Sequence, residues 1–231
     1  MGIVKHIPNT ITSMNLLCGV MGVIFTLEGS PQLAFPLMLL AAIFDFCDGL
    51  AARLLGAYSN IGKELDSLAD MVSFGVLPSV MLLQAMGMQP YRYICLFLAV
   101  MSAVRLAKFN VDERQESDFI GVATPTSAMI CGALCYLIST GTAPWLQELA
   151  AGHWFLPVVA VVLGLLLVSE IPMFGMKIKK GHKLLDAKRI VFLCLVVAAI
   201  VLTVALHLNW SVSVLLVFVS YIVENLVLAV I

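Results

Sequence analysis

Charge is what this sequence has least of. Of its 231 residues only 12% are Asp, Glu, Lys or Arg, against 61% hydrophobic, and the mean hydropathy is +1.05. A water-soluble domain carries about twice that share of charge, so too little polar surface is left to cover a globule in water. A basic excess is missing too. The formal net charge is −1, which excludes a nucleic acid held through its phosphate backbone. Cysteine motifs are also lacking: Cys18, Cys47, Cys95, Cys131, Cys135 and Cys194 lie in apolar stretches without CxxC spacing or a histidine partner. That excludes a disulfide framework and a zinc site. No small-x-small cleavage site follows the first apolar stretch, so it is expected to be a retained helix.

What the chain has in abundance is apolar runs of membrane-spanning length. At about 20 residues per crossing, they recur at 12–28, 32–55, 66–87, 91–109, 124–142, 154–176, 189–206 and 210–230. The expected fold is therefore an all-α polytopic membrane bundle of about eight helices, and no fewer than six, forming one domain over 1–231. With the N-terminus inside, every Lys and Arg except Arg92 falls on the cytoplasmic side, the placement that retention of positive charge favours. The cluster from Lys177 to Arg189 would sit against anionic headgroups there, as an anchor or as a lipid contact.

Four carboxylates break this apolar pattern. Asp45 and Asp48 fall near the end of the second run, Asp66 and Asp70 at the start of the third. Each costs about 2.5–3.5 kcal/mol at a helix centre on insertion scales. Spacings of three and four residues put each pair on one helix face. The two faces can meet across a short connection, and only Arg53 and Lys63 stand nearby to compensate. Hard divalent cations favour all-oxygen surroundings of this kind, so a two-ion site is expected. Gly49 and Ala52 keep bulk away from the Asp45 face, Gly62 opens the next helix, and Arg53 offers a planar fork to a phosphate. Together they suggest a metal-bound pyrophosphate.

The spacing Asp45-x2-Asp48-Gly49-x2-Ala52-Arg53-x8-Gly62-x3-Asp66-x3-Asp70 resembles the signature of the CDP-alcohol phosphatidyltransferases, matching all eight positions over 26 residues. The resemblance implies an integral membrane enzyme that moves a phosphatidyl group from CDP-diacylglycerol to an alcohol and releases CMP. It implies two divalent ions, Mg2+ or Mn2+, on Asp45, Asp48, Asp66 and Asp70, with Asp70 also the base. It also implies a homodimer in the cell (inner) membrane with the site facing the cytoplasm, and a first segment near the nucleotide, which makes Asn9 and Thr12 candidate contacts beside Gly49, Ala52, Arg53 and Gly62. The same two residues would serve equally as a Pro-Asn turn and helix cap.

The stretches IPNTITSMNLLCGV, GKELDSLADMVSFGVLPS and SAVRLAKFNV resemble the serine-transferring members of that family. The run FIGVATPTSA at 119–128 departs from their Gly-Leu-Pro-x-Pro pattern. L-serine would need a cation for its carboxylate, and Arg105 or Lys108, with Asn110 beside them, are the candidates; both cations also suit a snorkelling anchor. Two alternatives stay open: the same chemistry on glycerol 3-phosphate or inositol phosphate, and a cation transporter, whose usual second copy of the intramembrane site is absent here. Glu170 and Glu224 are further carboxylates in apolar surroundings without an assigned role.

Overall fold

The computed structural model describes residues 6–112, 119–174 and 187–230. The basic residues Lys177, Lys179, Lys180 and Lys183, with Lys5, Glu113 and Arg114, lie outside the described residues. Each of the eight apolar runs contains helix. The first two are α1 (Ile7–Leu27) and α2 (Pro31–Leu55), joined by a turn at Gly29. The third begins as α3 (Asn60–Asp70), passes through a π-helical turn (Met71–Val76) and continues as α4 (Leu77–Ala85). The fourth is a 3-10 turn (Pro90–Leu96) leading into α5 (Phe97–Val111). After β1 (Phe119–Ile120) come α6 (Thr124–Thr140), α7 (Pro144–Ala151) and α8 (Phe155–Val168), then β2 (Pro172–Met173), α9 (Ala187–Ala205) and α10 (Trp210–Val230).

Six of these helical segments are long and apolar enough to cross a membrane. The fifth and sixth runs depart from the expected eight. Gly141 takes a left-handed φ of 67° and Pro144 follows, so α6 and α7 meet at a bend of 106° instead of forming one straight span. The sixth run stops early: α8 has 14 residues, and Ser169 turns extended. Residues 171–173, expected to continue that helix, instead pair antiparallel with β1, Ile120 opposite Pro172.

The helices pack through small residues, as membrane bundles do when no hydrophobic force drives helix onto helix. A Cβ on Gly132 would lie 2.5 Å from the ring of buried Phe35 and 3.1 Å from Met38 Sδ, so α6 seats against α2 at that point. Gly22 receives Leu77 of α4, and Gly164 receives the Phe97 ring. Phe35 stacks on Trp210 at 5.4 Å, and Tyr136 leans on the same indole at 5.0 Å, which ties α2, α6 and the start of α10 together. Large apolar side chains such as Phe46, Val201 and Val204 remain exposed, the pattern of a lipid-facing surface.

The helix directions gather the ends of α2, α5, α8 and α10 and the starts of α1, α3, α6 and α9 at one end of the bundle. Among the described residues that end carries every Lys and Arg except Arg92. Replacing Gly132 with Val should overpack the α2–α6 contact and destabilise the fold by about 1–3 kcal/mol. A lower Tm in detergent measures it, and an unchanged Tm would mean that the contact is slack.

Candidate active site

The second helix ends because Gly56 adopts the left-handed conformation, with a φ of 58°. Four residues later the chain is helical again, because the Ser59 hydroxyl caps α3 by accepting from Gly62 N at 3.0 Å. The expected third span began at residue 66; the cap starts the helix at Asn60. Asp66 is thereby set within regular helix, and Asp66 and Asp70 share its inner face. Just beyond Asp70 the backbone widens into the π turn. Pro78 follows, which has no N–H to give to the carbonyl four residues back, and a π turn is one way a helix accommodates this.

Asp45, Asp48 and Asp66 each present a carboxylate oxygen within 4.8 Å of the other two. Asp70 is adjacent and not part of that triangle: it comes within hydrogen-bonding reach of Asp45. Ionised carboxylates this close require positive charge between them. Helix α1 supports the group with a stripe of polar residues at three-residue spacing. A Cβ on Gly62 would lie 2.9 Å from Asn9 Oδ1, so the Asn9 side chain of α1 rests close against the glycine of α3. Thr12 Oγ1 lies 2.5 Å from Asp48 Oδ2 and 3.0 Å from the Pro8 carbonyl, and its one proton goes to the carboxylate, the stronger acceptor. Asn15 Nδ2 donates to Asp70 Oδ1 at 3.2 Å, while its carbonyl accepts from Ser73 Oγ in the π turn at 3.0 Å.

A mouth of about 220 Å³ opens over the carboxylates, and all six residues expected to meet the nucleotide-lipid line it: Asn9, Thr12, Gly49, Ala52, Arg53 and Gly62. Two observations test whether a cation and a phosphate fit here. Asp66 Oδ1 is buried without a hydrogen-bond partner, and a Cβ on Gly49 would meet nothing within 4 Å. The donor set is all oxygen, as Mg2+ or Mn2+ prefers, so the residues fit. Tyr58 and Ser59 also line the mouth and were missed in the sequence, and Lys63, expected near the carboxylates, lines it too. The role of Asn15 was missed as well, although an Asn one turn beyond Thr12 in an apolar helix was a readable signal.

The expected acceptor residues divide. Arg105 and Lys108 line a second cavity, and the buried Arg105 donates from Nε to the Val122 carbonyl at 3.0 Å while its charge acts on Asp70. Asn110 does not line that cavity. Its amide donates to Ser67 Oγ at 2.9 Å and its carbonyl accepts from Lys63 Nζ at 3.0 Å, so it joins α5 to α3. Replacing Thr12 with Val keeps the shape but leaves Asp48 without its donor. Mn2+ affinity, read by electron paramagnetic resonance, should fall about 10-fold or more; an unchanged affinity would remove Thr12 from the support of the site.

Comparison with known proteins follows the same residues. Residues 5–167 match the family model for CDP-alcohol phosphatidyltransferase. The chain is 36% identical over 186 residues to the CDP-diacylglycerol--serine O-phosphatidyltransferase of Mycobacterium leprae (strain TN), covering 76% of this chain and 59% of that relative. It is 34% identical over 147 residues to the protein of the same name from Bacillus subtilis (strain 168), covering 60% of this chain and 82% of the relative. Identity to the archaetidylserine synthase of Methanothermobacter thermautotrophicus is 30% over 171 residues, 71% of this chain and 68% of the relative. The chain thus spans about three fifths of the length of the mycobacterial relative. Since the match runs from α1 into the last turn of α8 and includes the whole acidic signature, this chain belongs to the CDP-alcohol phosphatidyltransferase family.

Proposed function

We propose that this protein transfers the phosphatidyl group of CDP-diacylglycerol to the hydroxyl of L-serine, releasing CMP, at a site facing the cytoplasm from the cell (inner) membrane. The observation that carries this reading is the convergence of Asp45, Asp48 and Asp66 beneath an open mouth, with an unpartnered oxygen on Asp66. The choice of serine rests on the names of the relatives. The cytoplasmic orientation rests on the gathering of Lys and Arg at the site end. The protein is proposed to act as a homodimer within one catalytic domain, the extra helices α9 and α10 completing it.

The chain's own residues divide the work. Asp45, Asp48, Asp66 and Asp70 hold two divalent ions, Mg2+ or Mn2+, which when bound neutralise the pyrophosphate and stabilise the leaving CMP. Asn9 and Thr12 receive the cytidine end. Gly49, Ala52 and Gly62 leave room for the diphosphate to approach, and Arg53 gives it a bidentate partner. Asp70 takes the proton of the serine hydroxyl. A carboxylate is a weak base for an alcohol, so holding the hydroxyl in line supplies most of the rate. Arg105 and Lys108 pair with the serine carboxylate, and Asn110 keeps α5 registered on α3 beside them. Among the described residues no Cys or His joins the acidic triangle, and displacement is proposed to be direct, without a covalent enzyme intermediate. The acyl chains leave sideways between helices.

Purified protein given CDP-diacylglycerol with Mg2+ or Mn2+ should release CMP when offered L-serine and not when offered glycerol 3-phosphate or inositol. Chelation should stop the reaction and readdition of the ion restore it. Release with glycerol 3-phosphate alone would overturn the choice of acceptor. Asp70→Asn should lower kcat by at least about 100-fold, the usual scale of a lost general base, while CDP-diacylglycerol still binds. Turnover at the parent rate would remove Asp70 from proton transfer.

A further inference from the structure

The second cavity, about 400 Å³, lies between the end of α5 and the end of α8 and is lined among others by Arg105, Lys108, Asp112, Ile120, Ser169 and Glu170. Its charge is balanced: two cations and two carboxylates line it. A phosphate-bearing alcohol would bring an uncompensated double negative charge into such a space. A zwitterion matches it. The last turn of α8, Leu167 and Val168, also lines the wall, and the C-terminal end of a helix favours a positive ligand group.

Glu170 stands at that negative end on a strap whose backbone is fixed on both sides. Toward the cavity, Gly121 N donates to the Ile171 carbonyl at 2.9 Å and Val122 N to the Leu166 carbonyl at 3.1 Å. Gly121 has a φ of 75°, and a Cβ there would lie 2.6 Å from the Leu167 carbonyl oxygen, so only glycine allows the strap this close. On the other side, Phe174 N donates to Asn225 Oδ1 at 2.8 Å and Tyr221 Oη donates to the Phe174 carbonyl at 3.0 Å. Asn225 is buried, and the Phe174, Tyr221 and Phe192 rings form an edge-to-face cluster joining the strap to α9 and α10. Both α9 and α10 lie beyond the residues matched to the family. Across the cavity Arg105 is held by the Val122 carbonyl and acts on Asp70. An acceptor with its carboxylate on Arg105 and Lys108 would find Glu170 lining the same cavity.

We propose that Glu170 binds the ammonium group of the amino-acid acceptor opposite Arg105 and Lys108, and that Asn225 and Tyr221 of α10 act as positioning residues by holding the strap that carries it. This rests on the acceptor reading above. The test follows CMP release by the full-length protein with L-serine or with 3-hydroxypropanoate, which keeps the hydroxyl and carboxylate and lacks the amine. Glu170→Gln should raise the KM for serine about 10- to 100-fold, the loss of one charge-assisted hydrogen bond. The KM for CDP-diacylglycerol should stay the same, and the preference for serine over 3-hydroxypropanoate should disappear. Glu170→Asp should recover part of both. Asn225→Ala should raise the serine KM selectively, and an equal rise in both KM values would overturn the part given to α10. A Glu170→Gln variant with the parent's serine KM and preference overturns the assignment while leaving the acceptor reading intact. A parent protein that ignores serine overturns both.

Discussion

Four carboxylates gathered inside a membrane bundle are the constraint on which the rest of this structure depends. Each is costly to bring there alone, and in company each also repels the others. The protein meets part of this with neutral donors: Thr12 gives a proton to Asp48, and Asn15 gives one to Asp70. Neutral donors orient a carboxylate and do not cancel its charge. Arg105, the buried cation among the described residues, is held by a backbone carbonyl. What remains is an oxygen-rich triangle with an unpartnered atom on Asp66, an arrangement complete only with positive charge supplied from outside. On the proposed reading the divalent ions would supply it, shared between the carboxylates and the anionic diphosphate of the donor.

The fold is organised to hold that group rigidly at one end of the bundle. Gly19 and Gly22 let α1 lie directly on the π turn and α4, so the polar stripe Asn9, Thr12, Asn15 is fixed against both aspartate-bearing helices. The π turn is buried at Ser73, Phe74 and Gly75, and Ser73 returns a hydrogen bond to the backbone of Asn15. The same residue of α1 thus holds the last aspartate with its side chain and the turn after it with its carbonyl. Short α8 has the complementary effect. A helix of 14 residues rises about 21 Å at 1.5 Å per residue, less than a bilayer core. The chain that follows is left to form the strap and the second cavity where a longer helix would have filled the space.

Much of the site was legible because its signals are local. Carboxylates in apolar runs, at spacings that share a helix face, need no tertiary information, and the small residues between them mark the approach of a ligand. The mouth accordingly contains each of the six residues read as nucleotide-lipid contacts. What escaped depends on contacts distant in sequence. The start of α3 at Asn60 turns on a single hydroxyl, Ser59, whose capping role is plain only once Gly62 is seen to donate to it. The end of α8 is set by a two-residue pairing with β1, some fifty positions earlier, which no apolar pattern encodes. Asn110 follows Arg105 and Lys108 closely in sequence, yet the helix turns it toward Ser67, so adjacency misjudged its face.

The two cavities give the proposed chemistry a direction. Asp70 lines neither of them and is held by the Asn15 amide at 3.2 Å. Phosphoryl chemistry of this class needs the entering and leaving oxygens roughly in line. On the proposed reading the nucleotide would sit over Asp48, Gly49 and Arg53, CMP would leave through the mouth, and the acceptor would arrive from the cavity that Arg105 lines. The base then stands, on the same reading, between those two paths, and Asp70, which lines neither cavity, is the carboxylate assigned to it. The proposed roles also separate the two substrates: the mouth formed by α1, α2 and α3 is assigned to the nucleotide, the cavity at α5 and the strap after α8 to the alcohol. On that reading a change in the strap would alter the acceptor without disturbing the acidic triangle.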